Sequence, residues 1–173
     1  MIEHFFTRRR LQAGAVYAVI SSLSVISLSL APSIALAQAA PFAGLAGVWS
    51  GTGSISLASG AKERIKCRAT YSVGDNGNGL QQTLRCASDS YKFELASNVR
   101  NSNGKISGSW SETSRGVGGD LEGRAQAGLF QVVVSSPAFT ANLNLSTHGN
   151  SQTVKITSQG SEFSGVTITL TRS

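Results

Sequence analysis

From Leu45 onward the chain alternates apolar and polar residues with a period of two. Clusters of Gly, Asn, Asp or Ser break the alternation at intervals of about 10–14 residues. Successive side chains of a strand point to opposite faces, so this pattern suits a sheet with one apolar and one wet side. Phe139 to Ser146 is the clearest stretch, with Phe139, Ala141, Leu143 and Leu145 on one parity and Thr140, Asn142, Asn144 and Ser146 on the other. Val154 and Ile156 continue it, as do Val166, Ile168 and Leu170 against Thr167, Thr169 and Thr171. Strands are expected near 46–57, 62–73, 79–87, 90–99, 104–113, 117–126, 128–136, 138–147, 151–158 and 163–172. The expected fold is all-β: an antiparallel up-and-down barrel or barrel-like meander of about 8–10 strands. It occupies 45–173 as one domain, after an N-terminal signal helix and a flexible lead at 38–44.

Residues 1–37 read as an address rather than a domain. Arg8, Arg9 and Arg10 form a positive start, an apolar, serine-laced stretch runs from Ala13 to Leu36 with Pro32 within it, and Ala35-Leu36-Ala37 gives an A-x-A cleavage site. The expected product begins at Gln38 and is periplasmic or secreted. The stretch is also long enough for an uncleaved membrane anchor. Thr7-Arg8-Arg9-Arg10-Leu11 partly matches a twin-arginine signal, leaving two export routes open.

Without the first 37 residues Lys plus Arg falls from 15 to 12 and Asp plus Glu from 9 to 8, a net charge of +4. That excess favours anionic surfaces but is far from a nucleic-acid-binding composition, and no nucleic-acid partner is expected. Cys67 and Cys86 are an even pair in an exported chain, which reads as one disulfide. Two thiols and a single histidine after residue 37, His148, make a poor metal site, so neither metal nor cofactor is expected.

The residues between the cysteines are symmetric about Asn76-Gly77, which sets Cys67 opposite Cys86. A loop of Asp75 to Asn78 between Gly74 and Gly79 would place them on a non-hydrogen-bonded pair, where side chains approach more closely. This register turns Ile65, Cys67, Ala69, Tyr71, Val73, Leu80, Leu84, Cys86, Tyr91, Phe93 and Leu95 inward. It turns Arg64, Lys66, Arg68, Arg85 and Lys92 outward, with Arg68 facing Arg85 and Arg85 facing Lys92. The row is either a solvated face, with Glu63 and Glu94 as partial counter-charges, or a strip for anions.

Catalytic chemistry has little support. His148 sits in a His148-Gly149 setting expected to be an exposed turn. Glu112 shares the inward parity of Trp110 but falls at a strand end. Arg115-Gly116-Val117-Gly118-Gly119 lacks the helix and the Lys-Ser/Thr of a phosphate loop and reads as an interstrand loop. No catalytic residues are assigned, and the chain is expected to be non-enzymatic. Gly51, Gly53, Gly108, Gly119, Gly123 and Gly165 fall at inward parity, where they mark tight curvature or leave room for a ligand.

Gly47-Val48-Trp49 resembles the G-x-W start of the lipocalin and avidin (calycin) superfamily. The resemblance implies a tryptophan at the closed end of a barrel, stacked on a basic residue of the last strand, for which Arg172 is placed. It implies no ligand-binding residues. Gly108-Ser109-Trp110-Ser111 repeats the Gly-x-Trp-Ser pattern. More broadly, Gly47-Val48-Trp49-Ser50-Gly51, Cys67-Arg68-Ala69, Leu84-Arg85-Cys86-Ala87-Ser88 and Gly108-Ser109-Trp110-Ser111-Glu112 resemble an uncharacterised family of small exported alphaproteobacterial proteins. That implies export and the cysteine pair.

The function expected is that of an exported binding protein. Its ligand would be a small apolar molecule lined by Trp49, Tyr71, Tyr91, Phe93 and Trp110, or an anionic envelope component. The alternatives are an inhibitor or interaction module acting through loops, and an envelope-structural role.

Overall fold

The computed structural model describes residues 40–126 and 128–173. The expected signal at 1–37 and the first two residues of the expected lead lie outside them. Ten antiparallel strands follow one another: β1 Gly47–Leu57, β2 Lys62–Gly74, β3 Gly79–Ala87, β4 Lys92–Ser102, β5 Lys105–Glu112, β6 Val117–Gln126, β7 Leu129–Ser135, β8 Thr140–His148, β9 Ser151–Gln159 and β10 Phe163–Arg172. Each pairs with its sequence neighbour, and β10 pairs with β1 from Trp49↔Arg172 to Leu57↔Phe163, closing the barrel. A closed barrel has no free edge on which another chain could add a strand.

Side-chain parity separates inside from outside. On β2, Ile65, Cys67, Ala69 and Tyr71 are buried, whereas Lys62, Arg64, Lys66, Arg68 and Thr70 are exposed. The same alternation buries Val166, Ile168 and Leu170 on β10. Cys67 and Cys86 are cross-strand partners joined by a disulfide, with Cα atoms 4.2 Å apart. That spacing belongs to a narrow, non-hydrogen-bonded pair. Gly74 pairs with Gly79, so the connection is the four-residue Asp75–Asn78 loop. Between β4 and β5 the turn is shorter: Ser102 pairs with Lys105, and both central residues, Asn103 (φ 55°) and Gly104 (φ 80°), are left-handed. Asn-Gly accepts that geometry and suits the twist of a hairpin.

Five of the six inward glycines are explained by space. A Cβ would lie 1.9 Å from Thr169 O at Gly51, 2.1 Å from Thr167 O at Gly53 and 2.0 Å from Asn98 O at Gly108. At Gly119 and Gly123 the neighbours are Ser135 O at 1.8 Å and Gln131 O at 2.1 Å. These residues let adjacent backbones close up where the sheet curls. Gly165 differs, with its nearest atom, Ile156 O, at 3.4 Å.

Four expectations need correction. The lead at 38–44 is not free where it is described: Ala43–Leu45 forms a 3₁₀ turn, and Phe42 and Leu45 are 1% and 2% exposed. Their apolar side chains cover one end of the barrel, which outweighs the cost of ordering a short segment. Arg85 faces Glu94, not Lys92; Lys92 faces Ala87. The β3–β4 connection is Ser88–Tyr91, two residues longer than the expected register allows, so the pairing moves by two. Tyr91 belongs to that connection rather than to a strand. Finally, His148 pairs with Ser151, and the turn is Gly149-Asn150, one residue later than expected, because glycine occupies its positive-φ position (58°).

An apolar cavity with one sealed end

Eight strands make a barrel just wide enough for its own side chains, and a wider one leaves space. The ten-stranded barrel encloses a cavity of about 440 Å³. Its wall is mainly aliphatic and aromatic, with Leu84, Leu95, Val132, Leu143 and Ile156 at mid-height. Polar side chains there are few. Gln82 and Ser97 both face inward, Ser97 Oγ donating to Gln82 Oε1 at 3.3 Å.

One end is sealed. Phe42 stacks on Phe130 with ring centroids 5.7 Å apart, and its N–H donates to Gly77 O at 3.2 Å. Trp49 is fully buried, and its indole N–H donates to Leu45 O at 2.8 Å. The Arg172 guanidinium lies 4.5 Å over the Trp49 ring and donates through Nη1 to Ala46 O at 2.7 Å and through Nη2 to Gly44 O. A planar guanidinium can stack on an indole and still reach backbone carbonyls. The two ends of the barrel sequence thus hold the incoming segment across its base. Tyr71 meets Trp49 edge-on at 6.5 Å and donates its hydroxyl to Gln152 Oε1 at 2.7 Å, and Gln152 Nε2 donates to Thr147 Oγ1. Burial pushes the Tyr71 hydroxyl pKa well up, which the Gln152 bond only partly offsets, so it stays protonated.

The cavity reaches the opposite end, where Tyr91, Trp110, Arg115, Phe139 and Glu162 line it. Trp110 packs on Phe139 at 5.8 Å, and its indole N–H donates to Ser135 O at 3.3 Å. Arg115 lies 5.7 Å over the Tyr91 ring and 3.8 Å from Glu162 Oε2. Glu112, 6% exposed at the end of β5, organises this rim. Its Oε1 accepts from the backbone N–H groups of Glu94 (3.0 Å) and Ser114 (3.2 Å) and from the Ser114 hydroxyl, and its Oε2 from Arg115 N–H at 2.7 Å. Burial alone would raise its pKa, but these donors together hold it below the usual value. Its carboxylate is fully engaged in shaping the β5–β6 turn.

Of the five residues expected to line a ligand site, Tyr71, Tyr91, Phe93 and Trp110 reach the cavity. Trp49 does not; it belongs to the sealed end. The expected three-cation row is also broken. Arg68 faces Arg85, but Arg85 is ion-paired with Glu94 at 2.6 Å. Arg64, Lys66 and Arg68 remain exposed along β2, and Lys92 starts β4. His148 is exposed at the sealed end, away from the mouth. Sequence reasoning missed Gln82, Ser97, Phe42 and Phe139. It treated Arg115 as part of a loop, since nothing local shows that a turn residue leans over a cavity.

No family model and no curated protein matches the sequence. Solved structures do match in fold. The S-type phycobiliprotein lyase CPES from Guillardia theta aligns with a TM-score of 0.56 at 12% identity, over 76% of this chain and 90% of that one. Rv2717c from M. tuberculosis aligns with a TM-score of 0.57 at 12% identity, over 76% and 94%. The chain is thus an all-β closed barrel of an architecture those proteins share. One expectation is overturned here. The first of these proteins is named a lyase, an enzyme, so the fold does not mark a barrel as non-enzymatic, and that expectation is withdrawn. At such identity the likeness shows the fold and transfers no activity.

The disulfide fits an oxidising compartment. Among the described residues no helix is long and apolar enough to cross a membrane.

Proposed function

We propose that this chain is an exported binding protein that takes a small, largely apolar molecule into its barrel. The observation that carries the reading is the cavity of about 440 Å³, floored at one end by Phe42 and reaching the other between aromatic residues. That size and lining are those of a ligand site, with few polar groups to set orientation. Tyr71, Tyr91, Phe93 and Trp110 are the candidate contacts. In this reading the signal is cut after Ala37 and the barrel works in the periplasm or outside the cell, in a family of small exported alphaproteobacterial proteins.

A fluorescent naphthalene-sulfonate dye tests the cavity directly. Val132→Trp, placed on the cavity wall, should weaken dye binding by about tenfold or more by filling the space. Undiminished binding by a folded variant would refute the reading. Export is tested with a reporter fused to residues 1–40. A reporter that stays in the cytosol would refute that part, and loss of export when Arg8 and Arg9 become Lys would select the twin-arginine route.

A second reading, binding of an anionic envelope component on the outer face, is favoured by Arg64, Lys66 and Arg68 standing exposed on one strand. Reversing the charge of Arg68 and Lys66 together should then abolish salt-sensitive binding to anionic vesicles.

A further inference from the structure

Beside the mouth of the apolar cavity lies an open surface groove, lined by Ser88, Asp89, Ser90, Tyr91, Lys92, Ser114 and Arg115. Tyr91 and Arg115 belong to both linings. A hydrocarbon-like interior and an open groove of hydroxyls and charges are therefore separated by one aromatic ring and one guanidinium. From this we propose that the ligand is a single-chain amphiphile whose anionic headgroup sits in the outer groove against Arg115 and Lys92, with its chain in the barrel. This rests on the cavity reading above and adds the chemistry of the headgroup.

Three observations favour an anion. The lining carries two cations, Lys92 and Arg115, and one acid, Asp89; a second acid, Glu63, stands behind it with its carboxylate taken up by the Ser88 hydroxyl and the Ser90 N–H. Arg115 is only loosely engaged: Glu162 Oε2 is 3.8 Å away, beyond hydrogen-bond length, and the guanidinium side chain is 42% exposed. Its N–H donors, five on one planar group, remain free for an oxyanion. Glu112, also at the mouth, is already saturated by four donors and holds the Arg115 backbone through its N–H. Glu112 is thus a positioning residue for the cation above it. Ser88 is committed to Glu63 at 2.6 Å, which anchors the opposite wall.

The test uses a pair differing only in the phosphate group: 1-palmitoylglycerol 3-phosphate and 1-palmitoylglycerol, titrated below their aggregation limits by calorimetry. The phosphate should bind about fivefold more tightly at low salt, the magnitude of a partly exposed ion pair, and the advantage should shrink at high salt. Arg115→Gln with Lys92→Gln should erase the advantage, so that the two amphiphiles bind with equal affinity; an advantage that persists in a folded double variant would overturn the headgroup assignment. Glu162→Gln, which removes the negative charge nearest the Arg115 guanidinium, should enlarge the advantage. Equal affinities for the pair in the unaltered protein would overturn the headgroup assignment while leaving the cavity reading intact. Failure of both amphiphiles and of the naphthalene dye to bind would overturn the cavity reading, and this proposal with it. Glycerol 3-phosphate alone should bind much more weakly; binding as tight as that of the lipid would show that the chain contributes nothing and would also overturn the proposal.

Discussion

At the residue scale, Glu112 shows how a carboxylate that looks catalytic can be architectural. Its two oxygens accept from four donors on β4 and on its own turn. In Glu112→Gln an amide N–H₂ would face some of those donors, and the loss should be about 1–3 kcal/mol in urea denaturation. The pH dependence follows from the direction of its shift. Its folded pKa lies below the unfolded one, so its stabilisation is complete above the ordinary glutamate range and is lost as pH falls through the folded value. The difference in stability between the native chain and Glu112→Gln should therefore be constant near neutral pH and narrow as the pH falls below the ordinary glutamate value of about 4.3. A gap that stays constant in acid would count against the assigned role. Arg172 is equally particular. Arg172→Lys keeps the charge but loses the planar stack on Trp49 and the second carbonyl contact, and should lower the melting temperature by several degrees.

At the element scale, the hairpin β2–β3 carries the disulfide and the strands carry the glycines. The cysteines are 19 residues apart. Removing the bridge in a Cys67→Ser, Cys86→Ser protein should cost about 3 kcal/mol, by relaxing the constraint on the unfolded chain. Denaturation midpoints with and without reductant check this, and a reductant-insensitive wild type would contradict it. The glycines separate by position. Gly123→Ala places a methyl 2.1 Å from a backbone oxygen and should prevent the strands from closing. Gly165→Ala, with 3.4 Å to the nearest atom, should be tolerated. Soluble yield and circular dichroism of the two proteins would distinguish curvature from mere absence of a side chain. The strand pairs themselves were readable from alternation, and so was the Cys67–Cys86 register, from the symmetry of the intervening residues. The register of β3 against β4 was not. A loop of two more residues keeps every side chain on its face, since the period is two, and therefore leaves no trace in the hydrophobic pattern. Only the pairing reveals that Arg85 meets Glu94.

At the scale of the whole molecule, the barrel has a plugged end and a receiving end. Phe42, Leu45, Trp49 and Arg172 close the first, and the odd-numbered connections, which include the β3–β4 and β5–β6 turns, surround the second. Phe42→Ala should cost about 3–5 kcal/mol through lost burial and the cavity left behind. Unchanged thermal stability would show that the segment does not hold the base. Because the cavity is floored by Phe42, the same variant should also alter dye binding, linking the incoming segment to the ligand site.

Period-two alternation, regular breaks and two cysteines at mirrored positions determined the all-β class, the wet and dry faces and the bridge, and bounded the strand number at about 8–10, which the closed barrel sets at ten. Those are local properties, written in the parity of neighbouring residues. Closure of the barrel, the width that leaves a cavity, the burial of the incoming segment and the meeting of Arg115, Tyr91 and Glu162 at its mouth were decided by tertiary structure alone. They depend on strands far apart in sequence and on turns whose side chains acquire a direction only when the sheet curls back on itself.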